Sequence, residues 1–432
     1  MTGPYYADDK VTLWHGDCRT VLAGLTSASV DAIVTDPPYE LTFMGKGWDG
    51  TGVAYDPETW EACLRVLKPG GHLLAFGGSR TWHRMVCAAE DAGFQIRDSI
   101  AWHHGSGFPK SLDLSKAIDK AAGVEREVVG VAKGAATLSV ASLGKFSPEY
   151  AATPDAATPD AATWQGWGTA LKPAFEPIVV ARKPLADGTV AANVLAHGTG
   201  ALNIDGCRVA TSDTLTGSGT PPLRYGGANS RPFHEGAEPR GVHQHDAGRW
   251  PPNMVLTHAY DCGPDGGSPC AEGCPVSELN AQSGVSRSTV GSPRSGAHGN
   301  GWGLTTTGAE YADEGGASRF FPTFRYEAKA PTSERPRAGD IAHPTVKPLA
   351  LMQWLVRLVT PRRGLVLDPF AGSGTTGEAA ILEGMRAVLI EREADYLPLI
   401  TQRAMKTTDP IAHLTSRGDD LGLFEMLGGG AS

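Results

Sequence analysis

Apolar positions in the first hundred residues fall in short runs, with helical stretches between them. Val11–Asp17 (VTLWHGD) reads as a strand, with Cys18–Leu25 a short helix after it. Val30–Tyr39 (VDAIVTDPPY) carries the sharpest pattern. Apolar and small residues run into Thr35 and Asp36, and two prolines and a tyrosine then stop the run. That is a buried parallel strand ending in a rigid turn that bears a carboxylate. A glycine-rich loop, Gly45–Gly52, follows. Asp56-Pro57 starts a helix running to about Leu67, because proline fits the first helical turn, and Lys68-Pro69-Gly70-Gly71 stops it. His72–Phe76 is another buried strand, Ser79 caps a helix ending at Gly93, and Phe94–His103 is a strand again. Strands alternating with helices predict an α/β fold, a parallel or mixed sheet with helices on both faces. In such sheets chemistry sits at the carboxyl ends of strands, where Asp36 and Tyr39 fall.

The pattern changes after His104. Leu112–Ala122 reads as a helix, and then AATPD occurs twice in tandem, at Ala151–Asp155 and Ala156–Asp160. This low-complexity stretch predicts a mobile linker near 134–163. Residues 185–320 are rich in Gly, Ser, Pro and Arg, and a region of that length within a catalytic chain suggests a recognition insert. Order returns near Phe320. Pro348–Val359 is an apolar helix, Gly364–Asp368 a strand, Pro369–Gly374 a glycine turn, Thr375–Glu383 a helix, Arg386–Glu391 a strand and Ala394–Met405 a last helix. The expected organisation is a catalytic half at 1–104, an insert at 105–325, a cofactor-binding half at 326–410 and a tail at 411–432.

Composition narrows the picture modestly. The 432 residues are 41% hydrophobic and carry a net charge of −9. A sizeable core is affordable, and attraction of nucleic acid by the whole surface is excluded, though a local basic groove is not. No apolar run reaches membrane-spanning length and no signal peptide opens the chain. The seven cysteines form no secreted framework, so a reducing cytoplasm is expected.

Two motifs carry candidate chemistry. In Leu365–Gly377 (LVLDPFAGSGTTG), Gly372, Gly374 and Gly377 fit G-x-G-x-x-G, and Glu391 ends the next strand. Glycines let a ligand approach the backbone, a helix N-terminus favours negative charge, and Glu391 is placed to accept from ribose hydroxyls. The same glycines would also serve a turn made only for strand–helix packing. Asp368 at the strand end would repel a pyrophosphate and suit a ligand with an ammonium group. This favours S-adenosyl-L-methionine over a nicotinamide dinucleotide.

Asp36-Pro37-Pro38-Tyr39 is the second motif. An exocyclic amine on a nucleobase is a poor nucleophile because its lone pair is delocalised into the ring. Two acceptors aimed at its N–H groups, the Asp36 carboxylate and the rigidly held Pro37 carbonyl, would draw the nitrogen toward tetrahedral geometry. Tyr39 offers a face for stacking, and the base must leave the duplex to reach it. A strand-ending turn without chemistry is the plainer alternative.

At this point the sequence resembles the amino-group DNA methyltransferases of the beta arrangement, on TDPPY early, DPFAGSGTT late and His343–Pro348 (HPTVKP) just before the second motif. The likeness covers about 8–130 and 320–405. It implies a Rossmann-like, seven-stranded mixed sheet of the S-adenosylmethionine-dependent methyltransferase fold with a large irregular target-recognition insert. It implies Asp36, Pro37, Pro38 and Tyr39 as the grip on the target base. For the cofactor it implies Asp368, Phe370, Ala371, Gly372 and Gly374 at the methionine part, with Pro369, Ser373, Thr375 and Thr376 of the same turn and Asp36 nearby. Glu391, with Arg392 beside it, would serve the ribose, Asp17 and Cys18 the adenine, and Thr345, Lys347 and Pro348 would lie beside the methionine end. An Asp at the first motif position leans toward adenine N6 over cytosine N4. Double-stranded DNA is the implied partner; a homodimer and a cognate restriction enzyme are further expectations.

The insert resembles a phage and prophage subgroup at Gly105–Asp119, Trp164–Pro177 and Ala317–Lys329. Lys110, Lys116, Lys172, Arg182 and Lys183 are candidate phosphate contacts, with solvated surface charge as the alternative. His258, Cys262, Cys270 and Cys274 form H-x3-C-x7-C-x3-C, a set that a structural zinc accepts, against free thiols in a loop. Cys63 and Cys87 fall on helix patterns and read as core. Trp102 reads equally as pocket wall or core, and His103 and His104 as strand-end residues. Two rivals stay open: a methyltransferase for RNA or protein glutamine, and a dinucleotide-binding module or oxidoreductase.

Overall fold

Val30–Thr35 is buried along its whole length, as a strand covered on both faces must be. It lies near the middle of a ten-stranded sheet in the computed structural model. The structure describes residues 3–41, 50–105, 111–126, 130–133, 149–152, 156–210, 248–259, 262, 270–287, 314–324, 337–338, 341–343 and 346–408. The strands of the sheet are β1 (Tyr6–Ala7), β2 (Val11–His15), β3 (Val30–Thr35), β4 (Leu67–Phe76), β5 (Gln95–His103), β6 (Phe175–Arg182), β7 (Met254–Thr257), β8 (Thr323–Phe324), β9 (Leu365–Asp368) and β10 (Arg386–Glu391). Their spatial order is β1-β2-β10-β9-β3-β4-β6-β5-β7-β8. All run parallel except β1 and β6.

The run from β2 to β5 is the expected seven-stranded mixed sheet. It is widened to ten by β1 at one edge and by β7 and β8 at the other. The expected insert boundary of 105–325 is therefore corrected. Phe175–Arg182 is a core strand between β4 and β5, buried from Pro177 to Arg182, and β7 and β8 extend the same sheet. A short apolar run flanked by irregular sequence gave no sign of its partners.

Helices cover both faces. On one, α1 (Cys18–Gly24), α2 (Pro57–Val66) and α3 (Trp82–Asp91) pack Leu22, Trp60, Cys63 and Met85 against Ile33 and Leu73. Asp56 caps α2 by accepting from Glu58 N, and Pro57 opens it. Four helices come next in the chain, α4 (Leu114–Ala121), α5 (Pro159–Thr163), α6 (Val190–His197) and α7 (Pro275–Ser283). On the other face α8 (Leu349–Val359), α9 (Thr375–Leu382) and α10 (Leu397–Thr408) pack Leu351, Leu355, Ala380 and Ile400 against Ala32, Val34 and Leu74. Ala32 and Val34 face one side and Ile33 the other, as the two-residue period of a strand requires.

Several expected boundaries move. Lys68–Gly71 continues into β4 rather than merely ending α2, with a register shift between Val30 and Ala32 in the pairing with β3. Helix α3 begins at Trp82, not at Ser79. The Thr81 hydroxyl at its start donates to the Tyr39 carbonyl at 2.9 Å instead of capping the helix. Cys87 is exposed rather than core, because α3 turns Met85, Ala88 and Ala89 inward.

Residues 107–174 form a separate compact unit. Within it Asp113 caps the helix Leu114–Ala121, and buried Asp119 accepts from Thr158 Oγ1 at 2.7 Å and from Arg126 Nε at 2.6 Å. Thr158 also caps a short helix, Pro159–Thr163. The second AATPD copy is thus structured rather than linker. Residues 134–148 and 153–155 of the predicted linker lie outside the described residues, as do Gly45–Asp49 of the glycine loop and the tail from 409.

Candidate catalytic and cofactor site

Parallel pairing of β2, β10, β9 and β3 brings their carboxyl ends side by side. The order reverses between β9 and β3, and such a switch point opens a crevice at the strand ends. Thr35 closes β3 and Asp368 closes β9. The Thr35 hydroxyl donates to Asp368 Oδ1 at 2.6 Å, so the two motifs are in direct contact.

Beyond Thr35 the prolines carry Asp36 and Tyr39 out over the sheet edge, and the chain leaves through Glu40 in a left-handed conformation (φ 54°). Non-glycine residues rarely adopt this conformation, and it clusters at functional turns. The Tyr39 carbonyl is held by Tyr55 Oη at 3.1 Å and by Thr81 Oγ1. Lys347 reaches in from the segment before α8. Its ammonium lies 2.8 Å from Asp36 Oδ2 and 3.3 Å from Glu176 Oε2, and donates to the Tyr39 phenol oxygen at 3.0 Å. Tyr39 Oη in turn donates to Glu176 Oε2 at 2.7 Å, and His104 Nε2 is 3.8 Å from Glu176 Oε1. Lys347 also lies over the rings of Tyr39, Phe76 and Trp102 at 5.2, 4.9 and 5.9 Å.

One acceptor in this cluster has no protein partner. Asp36 Oδ1 is shielded from solvent and receives no hydrogen bond among the described residues, nor does the Pro37 carbonyl. A buried carboxylate oxygen left unsatisfied is costly and marks a place for a donor from outside the chain. Desolvation pushes the Asp36 carboxyl above its usual range, against the pull of Lys347. Burial opposes the charge on Lys347, but Asp36 and Glu176 outweigh it and hold the ammonium above its ordinary value. Burial likewise raises Glu176, and Lys347 and the Tyr39 hydroxyl outweigh it, leaving Glu176 low. The Lys347 ammonium thus sits between the carboxyl groups of Asp36 and Glu176.

The glycine turn lies next door. Gly372 (φ 53°) and Gly374 (φ 79°) take left-handed conformations, and a Cβ on Gly372 would meet His343 Nε2 at 3.1 Å. Gly372 N donates to Glu391 Oε2 at 2.7 Å, and Glu393 N donates to Oε1 at 2.7 Å. Burial raises Glu391 to about 7 against those two bonds. Asp368 is buried; burial raises it to about 6, against bonds from Thr35, Thr376 Oγ1 (2.6 Å) and Phe370 N (3.0 Å).

The expected direct contact of Asp368 with an ammonium group is therefore corrected to an internal role, because the carboxylate is enclosed by the chain's own donors. The hydroxyls of Ser373, Thr375 and Thr376 are also engaged internally. Ser373 and Thr375 are 2.9 Å apart, and Arg403 of α10 donates to Thr375 Oγ1 at 2.6 Å. Pro369, Phe370 and Ala371 form the turn itself, and Ala371 N donates to the Ile390 carbonyl.

On the far side of Glu391, Gly16 N donates to the Glu391 carbonyl, which places Asp17 and Cys18 at the adjoining strand end. Asp17 caps α1, accepting from Arg19 N, and Cys18 is buried, its thiol raised to about 12 by desolvation. Arg392 is surface-exposed and paired with Glu393 at 3.0 Å. Pro348 is buried at the start of α8. Thr345 and Lys110 lie outside the described residues.

Among the phosphate candidates, Arg182 is buried and donates to Gln95, and Lys183 Nζ donates to the carbonyls of Leu64 and Leu67 at 2.7 Å. Both are structural, which corrects that expectation. Lys116 and Lys172 are exposed. Trp102 packs edge-on to Phe76 in the core, and its ring also lies under Lys347. Glu176, Thr81 and Arg403 were not singled out from sequence. Only the Trp164–Pro177 likeness touched Glu176, and it assigned no role.

The four zinc candidates also come together. The ligand atoms of His258, Cys262, Cys270 and Cys274 all lie within 4.8 Å of one another. A cavity of about 560 Å³ borders this cluster rather than the DPPY turn, with Arg208, Arg319 and Arg357 among its lining residues.

The donor set at the strand ends fits a cationic ligand. Asp36 and Glu391 flank the glycine turn, and a pyrophosphate would meet their charges. No described helix is long and apolar enough to cross a membrane.

Comparison with known proteins agrees. The chain is 42% identical over 66 residues to the type II methyltransferase M2.MboI of Moraxella bovis, covering 15% of this chain and 24% of that protein. It is 28% identical over 149 residues to the type II methyltransferase M.HindIII of Haemophilus influenzae, covering 34% and 37%. The chain thus spans well under half of either relative. A solved structure of the Thermus thermophilus protein TTHA0409 in complex with S-adenosyl-L-methionine aligns over 92% of this chain and 94% of that one, at 17% identity and a TM-score of 0.37. That likeness is too distant to carry function. A family model described as a DNA methylase matches residues 30–187 and 278–402. Because that match runs from the Val30 strand through Glu391 and covers more than half of the chain, the protein belongs to the DNA methylase family, the N6 and N4 methyltransferases.

Proposed function

We propose that this chain is an S-adenosyl-L-methionine-dependent DNA methyltransferase acting on the exocyclic amine of a base swung out of the duplex, adenine N6 in preference to cytosine N4. The observation that carries this reading is the unpartnered Asp36 Oδ1 one residue beyond the Thr35–Asp368 contact, at the crevice between β3 and β9.

S-adenosyl-L-methionine, when bound, supplies an electrophilic methyl group. The backbone turn at Phe370, Ala371 and Gly372 would hold it, with the remaining lone pairs of Glu391 for its hydroxyls. Asp36 Oδ1 and the Pro37 carbonyl accept the two amine N–H bonds. The nitrogen lone pair is then drawn out of conjugation and directed at the methyl carbon. Lys347 keeps Asp36 ionised, so that it accepts rather than donates. Tyr39, fixed by Glu176 and Lys347, presents its ring to the base, and Phe76 and Trp102 exclude water behind it. Transfer of the methyl group from sulfur to the amine would leave positive charge on the nitrogen. That nitrogen would then shed a proton, and Asp36, whose affinity for protons is raised by burial, is placed to receive it.

The test is transfer of labelled methyl groups to unmethylated double-stranded DNA, with RNA as a parallel substrate and mass analysis of the digested nucleosides. N6-methyladenine is the expected product. N4-methylcytosine would retain the amino chemistry and overturn the choice of base, and label in RNA or protein alone would overturn DNA as substrate. Calorimetric preference for a nicotinamide dinucleotide would overturn the cofactor.

A further inference from the structure

The His258–Cys274 cluster lies outside that chemistry, and its geometry is specific. His258 Nδ1 is 3.6 Å from Cys270 Sγ and 3.6 Å from Cys274 Sγ. A tetrahedral zinc with bonds of about 2.3 Å to sulfur and about 2.1 Å to nitrogen requires N···S separations of about 3.6 Å. The backbone supports the sulfurs from behind: Ala259 N points at Cys274 Sγ at 3.4 Å and Ala271 N at Cys262 Sγ at 3.3 Å. Backbone N–H groups directed at cysteine sulfur are typical outer partners of a thiolate site.

We propose that His258, Cys262, Cys270 and Cys274 hold a structural zinc ion that clamps strand β7 to helix α7 (Pro275–Ser283). Three sulfurs and one imidazole nitrogen select zinc by softness and geometry, and four protein donors leave no open position for chemistry. The neighbourhood needs such a clamp. Among the described residues, its apolar contacts beyond the ligands reduce to Leu256 and Val276 with a few partly buried residues such as Met254 and Phe321, a small core for such a segment.

The clamp has a line to the target pocket. His258 directly follows β7, and its N–H donates to the Phe324 carbonyl of β8 at 2.8 Å. The preceding residue, Thr257, donates to the His103 carbonyl at 3.1 Å and accepts from Trp102 Nε1 at 3.4 Å. Trp102 is one of the rings around Lys347. The ion therefore fixes the strand that backs the pocket wall.

The full chain, purified without chelator, is expected to carry one zinc per molecule by elemental analysis, released in step with modification of three thiols by a mercurial reagent. Cobalt loading should give the near-ultraviolet thiolate-to-metal band and the visible spectrum of a tetrahedral site. Cys262→Ser and Cys274→Ser should lose the ion, while Cys87→Ser, at an exposed cysteine outside the cluster, retains it. If the serine variants do not fold, the wild-type metal count and cobalt spectrum decide alone. Folded, metal-free wild-type chain, cobalt without a thiolate band, or an intact mass lower by the two hydrogens of a disulfide would each overturn the site.

Discussion

The Thr35 hydroxyl donates to the Asp368 carboxylate at 2.6 Å across 333 residues of sequence, and this bond joins the strand that leads into the Asp36–Tyr39 turn to the strand that leads into the glycine turn. Thr35→Val removes the donor and leaves a buried carboxylate one partner short. The expected cost is about 1–3 kcal/mol of stability. Urea unfolding of the variant checks this, and an unchanged midpoint would show that the bond does not couple the strands.

Asp36→Ala deletes the unpartnered acceptor. Transfer to DNA should fall at least about a hundredfold, the usual scale for loss of one preorganised polar group at a reacting centre. S-adenosyl-L-methionine binding should survive within a few-fold. Near-normal turnover would refute the acceptor role.

Lys347→Met strips the cation from between Asp36 and Glu176. Removing one member of a buried ion pair commonly costs about 3–5 kcal/mol. Two half-buried carboxylates would then face each other, and Asp36 would take up a proton and cease to accept. We expect a lowered melting temperature and lost transfer, with Glu176→Gln in the same background restoring part of the stability but not the activity. Equal melting temperatures for the single and double variants would contradict the network.

Glu391 makes stability fall with rising pH. Its carboxyl is raised by burial from 4.5 to about 7, so the unfolded chain gives up its proton first and the folded chain holds more protons across that window. Stability is highest below about 4.5 for this group and declines toward pH 7, by at most about 3 kcal/mol. Because the ionised form attracts a cation, affinity for S-adenosyl-L-methionine should rise over the same window. Glu391→Gln should flatten this part of the stability profile. A wild-type slope persisting in the variant would assign it to another group.

Local pattern made a good part of this molecule legible. VDAIVT could only be a strand buried on both faces, Asp56-Pro57 opens a helix where it should, and Glu391 ends its strand where the spacing required. Each of these depends on neighbours within a few residues. Phe175–Arg182 is as apolar as β3, yet its place between β4 and β5 was hidden, because antiparallel insertion into a parallel sheet depends on which edge is free. The position of Asp368 at a strand end suggests that it faces a ligand; instead Thr35 and Thr376 enclose it, and Thr35 is brought there by a strand from the other end of the chain.

Local pattern sets the alternation of strands and helices, the proline-stiffened turn at Asp36–Tyr39, the glycine turn at 372–374 and a set of four zinc-compatible ligands. That β3 and β9 are neighbours, that Lys347 and Glu176 converge on Asp36 and that His258 meets three cysteines follows from the assembled fold alone. Backbone preference and hydrophobic period act over a turn or a strand, whereas charge compensation and metal geometry act through space between residues that the chain separates.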